Sequence, residues 1–330
     1  MEGDGTLAAG RPLLGALIHQ AVRLSFGNQV LDGAYLHAGR SGPHSPLHTM
    51  HPASPIGIFD SGIGGLSVLQ ALRHELPHEH FIYVADSGYA PYGERDEAFV
   101  QQRTSAIAHH LRAQHGIKAL VIACNTATAA AVEHVRREMP DLPLIGVEPA
   151  LKPAALGSQT HHVGVMATRG TVSSARFARL LGEHSQNTHF AVEACDGLAH
   201  AIEQATELPP PADLHGTELW ARCAQHVQAL GSFGLKTGEI DTLVLGCTHY
   251  IFVKDELRAL LGPEVQLIDT GAAVARQVRR LLGQMDLLAP EAAVTPQIEL
   301  YATGGLNSLK AAAQRWLGVA PQRCEAVEID

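Results

Sequence analysis

The sequence has no CxxC pair and no closely spaced cysteine–histidine quartet, and five cysteines are an odd, low count for 330 residues. That argues against a structural zinc site or a disulfide framework and points to reduced thiols in a cytoplasmic protein. No apolar run is long enough to cross a bilayer. There is no surplus of positive charge either. With 24 basic residues against 33 acidic ones and a formal charge of −9, neither nucleic acid nor an anionic membrane is an expected partner. A full GxGxxG turn and a Walker lysine are also missing. The loop DSGIGGL, residues 60–66, therefore reads as a tight turn rather than a phosphate cradle.

What is present is a matched pair of cysteines. Cys124, in KALVIACNTATAAAVEHVRRE, and Cys247, in DTLVLGCTHYIFVKDELRALL, each follow a short apolar, β-branched run and each open a helix-like segment. Both thiols are expected at the C-terminal end of a strand beside a helix N-terminus, where open α/β sheets bind ligands. The helix dipole there favours thiolate over thiol by about one pKa unit.

The surroundings of the two cysteines repeat. From Ile56 onward the runs IGIFD, FIYVAD, ALVIAC and PLIGV alternate with helical patterns, and VGVMAT, HFAVEAC, TLVLGC and VQLID follow in the same order. Runs of this length that are apolar throughout fit buried parallel strands. Cys124 stands 21 positions before Ile145, and Cys247 stands 21 before Ile268. The predicted fold is α/β, with two similar parallel-sheet domains related by a pseudo-twofold axis and an active site in the cleft between them. The first domain spans 55–150 and is completed by the C-terminal segment 270–330, which carries ELYATGG and a final helix; the second spans 151–269. Residues 1–54 read as a flexible extension. The stretch LLGALI (13–18) is a weak signal-peptide candidate, and Met50 resembles a natural start. His37, His44, His48 and His51 belong to a low-complexity loop rather than a metal site.

A thiolate on one wall of a cleft and a thiol on the other can remove a proton from a carbon and return one to the opposite side, which is stereoinversion without a cofactor or metal. Polar groups at the strand ends suit an amino-acid substrate. Asp60 and Ser61 end the first strand, and Asp60 can hold an ammonium or pass a proton to a neighbouring thiol. Asn125, Thr126 and Thr248 follow the cysteines and can donate to carboxylate oxygens. His249 can orient Cys247 or relay its proton. Cys195 ends another strand run with no partner following at once and reads as core or cleft wall. On these residues alone three classes stay open: a racemase of glutamate, aspartate or another amino acid; a hydrolase using one cysteine with His249; and a non-catalytic amino-acid binding protein.

The motifs GIFDSGIGGLSVL, YVADSGYAPYGER, VIACNTATA, GVEPALKPA, VLGCTHY and LIDTGAAVA, in this order, resemble the cofactor-independent glutamate racemases of the aspartate/glutamate racemase superfamily from about Pro55 to the end. The resemblance implies interconversion of L- and D-glutamate, with D-glutamate going to bacterial cell-wall peptidoglycan. It implies that Cys124 acts on the D-enantiomer and Cys247 on the L-enantiomer. Asp60, Ser61, Tyr92, Gly93, Asn125, Thr126, Thr248 and His249 would line the substrate site, and Glu203 would assist the histidine. Two departures stand out: Asp196 and Ile251 occupy places where the family usually has proline, which bears on local loop shape. Enzymes of this shape commonly pair as homodimers, though no seam in the sequence says how.

Overall fold

The computed structural model describes residues 50–209, 211, 213–291 and 296–330. Most of the N-terminal extension, with LLGALI, His37, His44 and His48, lies outside the described residues; the His51 ring accepts a hydrogen bond from Ala53 N–H.

Among the described residues, ten strands form two sheets. They are β1 (Ile56–Asp60), β2 (Phe81–Ala85), β3 (Ala119–Ile122), β4 (Leu144–Gly146), β5 (His162–Ala167), β6 (His189–Ala194), β7 (Thr242–Gly246), β8 (Gln266–Ile268), β9 (Ile298–Ala302) and β10 (Cys324–Ala326). The first sheet has the order β10-β9-β2-β1-β3-β4 and the second β6-β5-β7-β8, with every pairing parallel. The order β2-β1-β3-β4 recurs as β6-β5-β7-β8, the topological form of the sequence repeat. The C-terminal strand β9 pairs with β2, and the short β10, which had no clear sequence signal, pairs with β9.

The strands are apolar on both sides because both faces are covered. Ile56 and Ile58 enter one core, and Phe59, pointing the other way, enters the second. Helices Leu66–Glu75, Gly271–Gln284 and Leu306–Leu317 pack on the first face. Helices Glu97–His115 and Asn125–Glu138 pack on the other. The second sheet alternates in the same manner, with Leu243 and Leu245 in one cluster and Val244 in its partner. Chain order reverses at β1 and at β5, so a crevice opens at the C-terminal strand ends of each sheet.

Two expectations need correction. Cys124 does open a helix, Asn125–Glu138, but Cys247 is followed by a 3₁₀ turn over Thr248–Val253 and only then by an α-helix, Lys254–Leu261. The segment THYIFV is rich in β-branched and aromatic residues that lose rotamer freedom in an α-helix. A three-residue repeat lets Tyr250 and Val253 both enter the core of the second lobe. It leaves His249 and Phe252 to face the first lobe, where Phe252 stacks on Trp316 at 4.6 Å between centroids. The second correction concerns the loop after β1. None of Gly62, Gly64 and Gly65 has positive φ, so the turn does not demand glycine for its backbone angles; the reason is space, as shown below.

Candidate active site

A cavity of about 50 Å³ lies at the facing strand ends of the two lobes and is lined by Asp60, Ser61, Tyr92, Gly93, Cys124, Asn125, Thr126, Glu203, Cys247, Thr248 and His249, every site residue read from the sequence. Cys195 also lines it while packing in the core of the second lobe. All five cysteines are free and buried. Among the described residues, no group of three or more His, Cys, Asp or Glu side chains is arranged to hold a metal ion.

The two thiols have different partners. Cys124 follows β3 and caps helix Asn125–Glu138, its sulfur accepting from Ala127 N–H at 3.5 Å and donating to Ser61 Oγ at 3.7 Å. Beside it, at the end of β1, the Asp60 carboxylate accepts from Ser61 N–H (2.7 Å), Gly65 N–H (2.5 Å) and, across the cleft, Thr248 Oγ–H (3.2 Å). Burial pushes the Cys124 thiol well up, and the Asp60 charge pushes the same way, against the Ala127 N–H and Ser61. The expected lowering by the helix terminus is thus overturned. A helix N-terminus offers roughly 0.3 to 1 kcal/mol, at most about 2, whereas full burial moves a pKa by up to about 3–5 units. Asp60 is raised as well, by burial, with His249, Cys124 and the backbone donors opposing.

Around Cys247, sulfur stands 3.7 Å from His249 Nδ1, and His249 Nε2 stands 2.9 Å from Glu203 Oε1. That same oxygen accepts Ile63 N–H of the first lobe at 3.0 Å. Burial works against an imidazolium, but the hydrogen bonds and charges of Cys247 and Glu203 prevail and hold His249 well above the usual histidine range. Burial likewise opposes ionisation of Glu203, yet His249 and the Ile63 N–H keep its carboxyl below its ordinary value. The asymmetry follows from the repeat. Matching GIFDS with GVMAT puts Ala167 where the first half has Asp60, so the second thiol takes its proton partner from its own 3₁₀ turn.

The remaining lining is polar and spans the cleft. Thr126 Oγ1 lies 2.9 Å from Thr168 Oγ1, which lies 3.0 Å from Thr171 Oγ1. Asn125 Oδ1 is buried and has no hydrogen-bond partner, the state of a group awaiting a donor. Tyr92 is placed differently from a simple hydroxyl donor: its O–H is given to Asp86 Oδ2 at 2.5 Å, so it offers the cavity its ring and backbone. A Cβ on Gly93 would sit 3.0 Å from Thr168 Cβ, so glycine keeps this wall thin. Thr168 and Arg169 are cavity residues that the motif reading passed over. The repeat carries the signal for Thr168, which takes the place of Ser61 in the second half. Arg169 pairs with Asp196 at the rim, so the acid that departs from the family's proline is neutralised by a neighbour.

The Asp/Glu/hydantoin racemase profile matches residues 64–278. A glutamate racemase from Ectopseudomonas mendocina is 46% identical over 269 residues, covering 82% of this chain and 97% of the relative. Among solved structures, a Bacillus anthracis glutamate racemase isoform superposes with a TM-score of 0.72 at 31% identity, covering 85% of this chain and 98% of its own. The Escherichia coli glutamate racemase in complex with L-glutamate and the activator UDP-MurNAc-Ala gives 0.69 at 30% identity, with 84% and 99% covered.

Proposed function

The chain belongs to the Asp/Glu/hydantoin racemase family and is an isomerase of the racemase class, and on that premise we propose that it interconverts L- and D-glutamate without a cofactor, using Cys124 and Cys247 on opposite faces of the α-carbon. The observation that carries this reading is that both thiols line one cavity and each has its own proton partner.

In the L-to-D direction, Cys247 is the base. His249 Nδ1 stands beside its sulfur to take up or return the proton, and Glu203 holds the imidazole in place. Cys124, kept protonated by burial and by the Asp60 charge, delivers its proton to the other face. In the reverse direction Cys124 must first lose its proton. Asp60, whose own carboxyl is raised by burial, is the neighbouring base placed to receive it. The substrate ammonium suits Asp60 and the unpartnered Asn125 Oδ1, while Thr126 and Thr168 offer hydroxyls to its carboxylates and Thr248, its hydroxyl given to Asp60, keeps that carboxylate in place. Glutamate as substrate is supported by relatives named glutamate racemase; a cytoplasmic role supplying D-glutamate to cell-wall peptidoglycan is part of the same proposal.

Cys247, His249 and Glu203 alone also have the arrangement of a cysteine hydrolase, and single-cysteine variants separate the readings. With two bases, Cys124→Ala abolishes racemisation in both directions, yet Cys247 still exchanges the α-proton of L-glutamate with solvent; Cys247→Ala leaves exchange only in D-glutamate. NMR of both enantiomers in deuterated water reads this. Racemisation surviving in Cys124→Ala contradicts the proposal, and faster turnover of L-aspartate than of L-glutamate contradicts the substrate.

A further inference from the structure

The loop after β1 contacts the second lobe through two glycines whose backbone angles any residue could adopt. A Cβ on Gly62 would stand 1.8 Å from Glu203 Oε1, and one on Gly64 would stand 2.4 Å from His249 Nδ1 and 2.6 Å from Thr248 Oγ1. Gly65 differs: its Cβ would meet Asp60, Ala123 and Tyr83 of its own lobe. Between the two glycines, Ile63 N–H donates to the Glu203 oxygen that also holds His249. One turn on, Ser67 Oγ donates to Gly64 O (2.8 Å) and reaches Thr248 O (3.2 Å).

We propose that Gly62 and Gly64 are positioning residues: they leave the loop bare so that Glu203 and His249 of the second lobe seat directly on first-lobe backbone, coupling closure of the cleft to alignment of the Cys247–His249–Glu203 chain. With the lobes apart, Glu203 loses the Ile63 N–H and His249 loses its seat, so the second thiol has its partner in place only around an enclosed substrate. This rests on the racemase reading and adds to it the contact by which the first lobe controls the base of the second.

The two positions act differently. The atom over Gly62 ends a flexible side chain, so an added methyl displaces the Glu203 carboxylate and leaves the lobes where they are. The atoms over Gly64 belong to a buried ring and a buried threonine. There the lobes themselves must back away, from 2.4 Å to ordinary contact at 3.4 Å, and a misplacement of about 1 Å can cost about 10²-fold in rate.

The test measures kcat with each glutamate enantiomer and, separately, the alkylation rates of Cys124 and Cys247 by iodoacetamide without substrate, followed by peptide mass spectrometry. Gly64→Ala is expected to lower kcat by about 10²-fold and to speed alkylation of both thiols, with the wild-type circular dichroism spectrum retained. Gly62→Ala is expected to lower kcat by about tenfold, the loss of roughly one hydrogen bond, with alkylation of Cys124 unchanged. In a Glu203→Gln background it should add almost nothing, because it acts through Glu203. Gly64→Ala with kcat within about twofold of wild type and unaltered alkylation overturns the proposal, as do additive losses in the Gly62→Ala, Glu203→Gln double variant. Should Gly64→Ala not fold, the double-variant cycle decides alone. Wild type that fails to racemise glutamate refutes the functional reading, while the alkylation rates still decide whether the glycines seat the second lobe.

Discussion

At the scale of single residues, what distinguishes the two thiols is their company. Cys124 has a buried carboxylate beside it and Cys247 an imidazole backed by a carboxylate. The Glu203–His249 pair has opposite pH signatures in its two members. The lowered Glu203 contributes stability that is present above its ordinary value of 4.5 and is lost as pH falls through its folded pKa. The raised His249 contributes stability that is fully present below its ordinary value of 6.5 and is lost as pH rises through its folded pKa. Glu203→Gln removes the partner charge, so His249 should titrate at lower pH and the basic limb of kcat/KM against pH should move down, which steady-state profiles will show. An unmoved limb means that Glu203 does not hold the imidazolium. The positions of both cysteines were legible in the sequence because each follows a β-branched run. The ionisation of Cys124 was not, because burial, a tertiary property, outweighs the local helix dipole.

Among the elements, the loop carrying Tyr92 and Gly93 shows how distant segments set the site. Asp86, just after β2, is fully buried and accepts from Tyr92 O–H, Arg103 Nε and Nη2, and Thr303 Oγ at the end of β9; Arg103 Nη1 donates in turn to Ile329 O. The C-terminal strand thus helps to anchor a loop that faces the substrate. Tyr92→Phe removes one of four donors to Asp86 and no group aimed at the cavity, so it should cost about 1 kcal/mol in thermal unfolding and leave kcat nearly unchanged. Asp86→Asn leaves the buried Arg103 cation without its charge partner and should cost about 3–5 kcal/mol, with KM raised through the loop. Equal effects of the two substitutions would contradict this account. All eight strands of the repeat were readable from apolar runs of the right length. The 3₁₀ turn after Cys247 was not, since its apolar spacing mimics a helix until Tyr250 and Phe252 must choose different sides. Nor was the Asp86 hub, which ties the nearby Tyr92 and Arg103 to Thr303, 217 positions away.

On the scale of the whole molecule, a repeated βαβ unit brings two strand ends to one cavity, and the site exists only where the lobes meet. Thr248 with Asp60, Ile63 with Glu203 and Thr126 with Thr168 all bridge the cleft. The sequence showed the duplication through spacing that both halves share. These bridges escaped it because they depend on how the halves pack. The central claim is that two sulfurs, one from each half, divide the work of inverting a single carbon. The most direct measurement is a single-turnover reaction of protiated L-glutamate with the purified wild-type protein in deuterated water, reading α-deuterium in each enantiomer separately. The account predicts deuterium in the D-glutamate formed and protium in the L-glutamate that remains. Equal deuterium in both enantiomers, or D-glutamate that keeps the substrate's own proton, would contradict it.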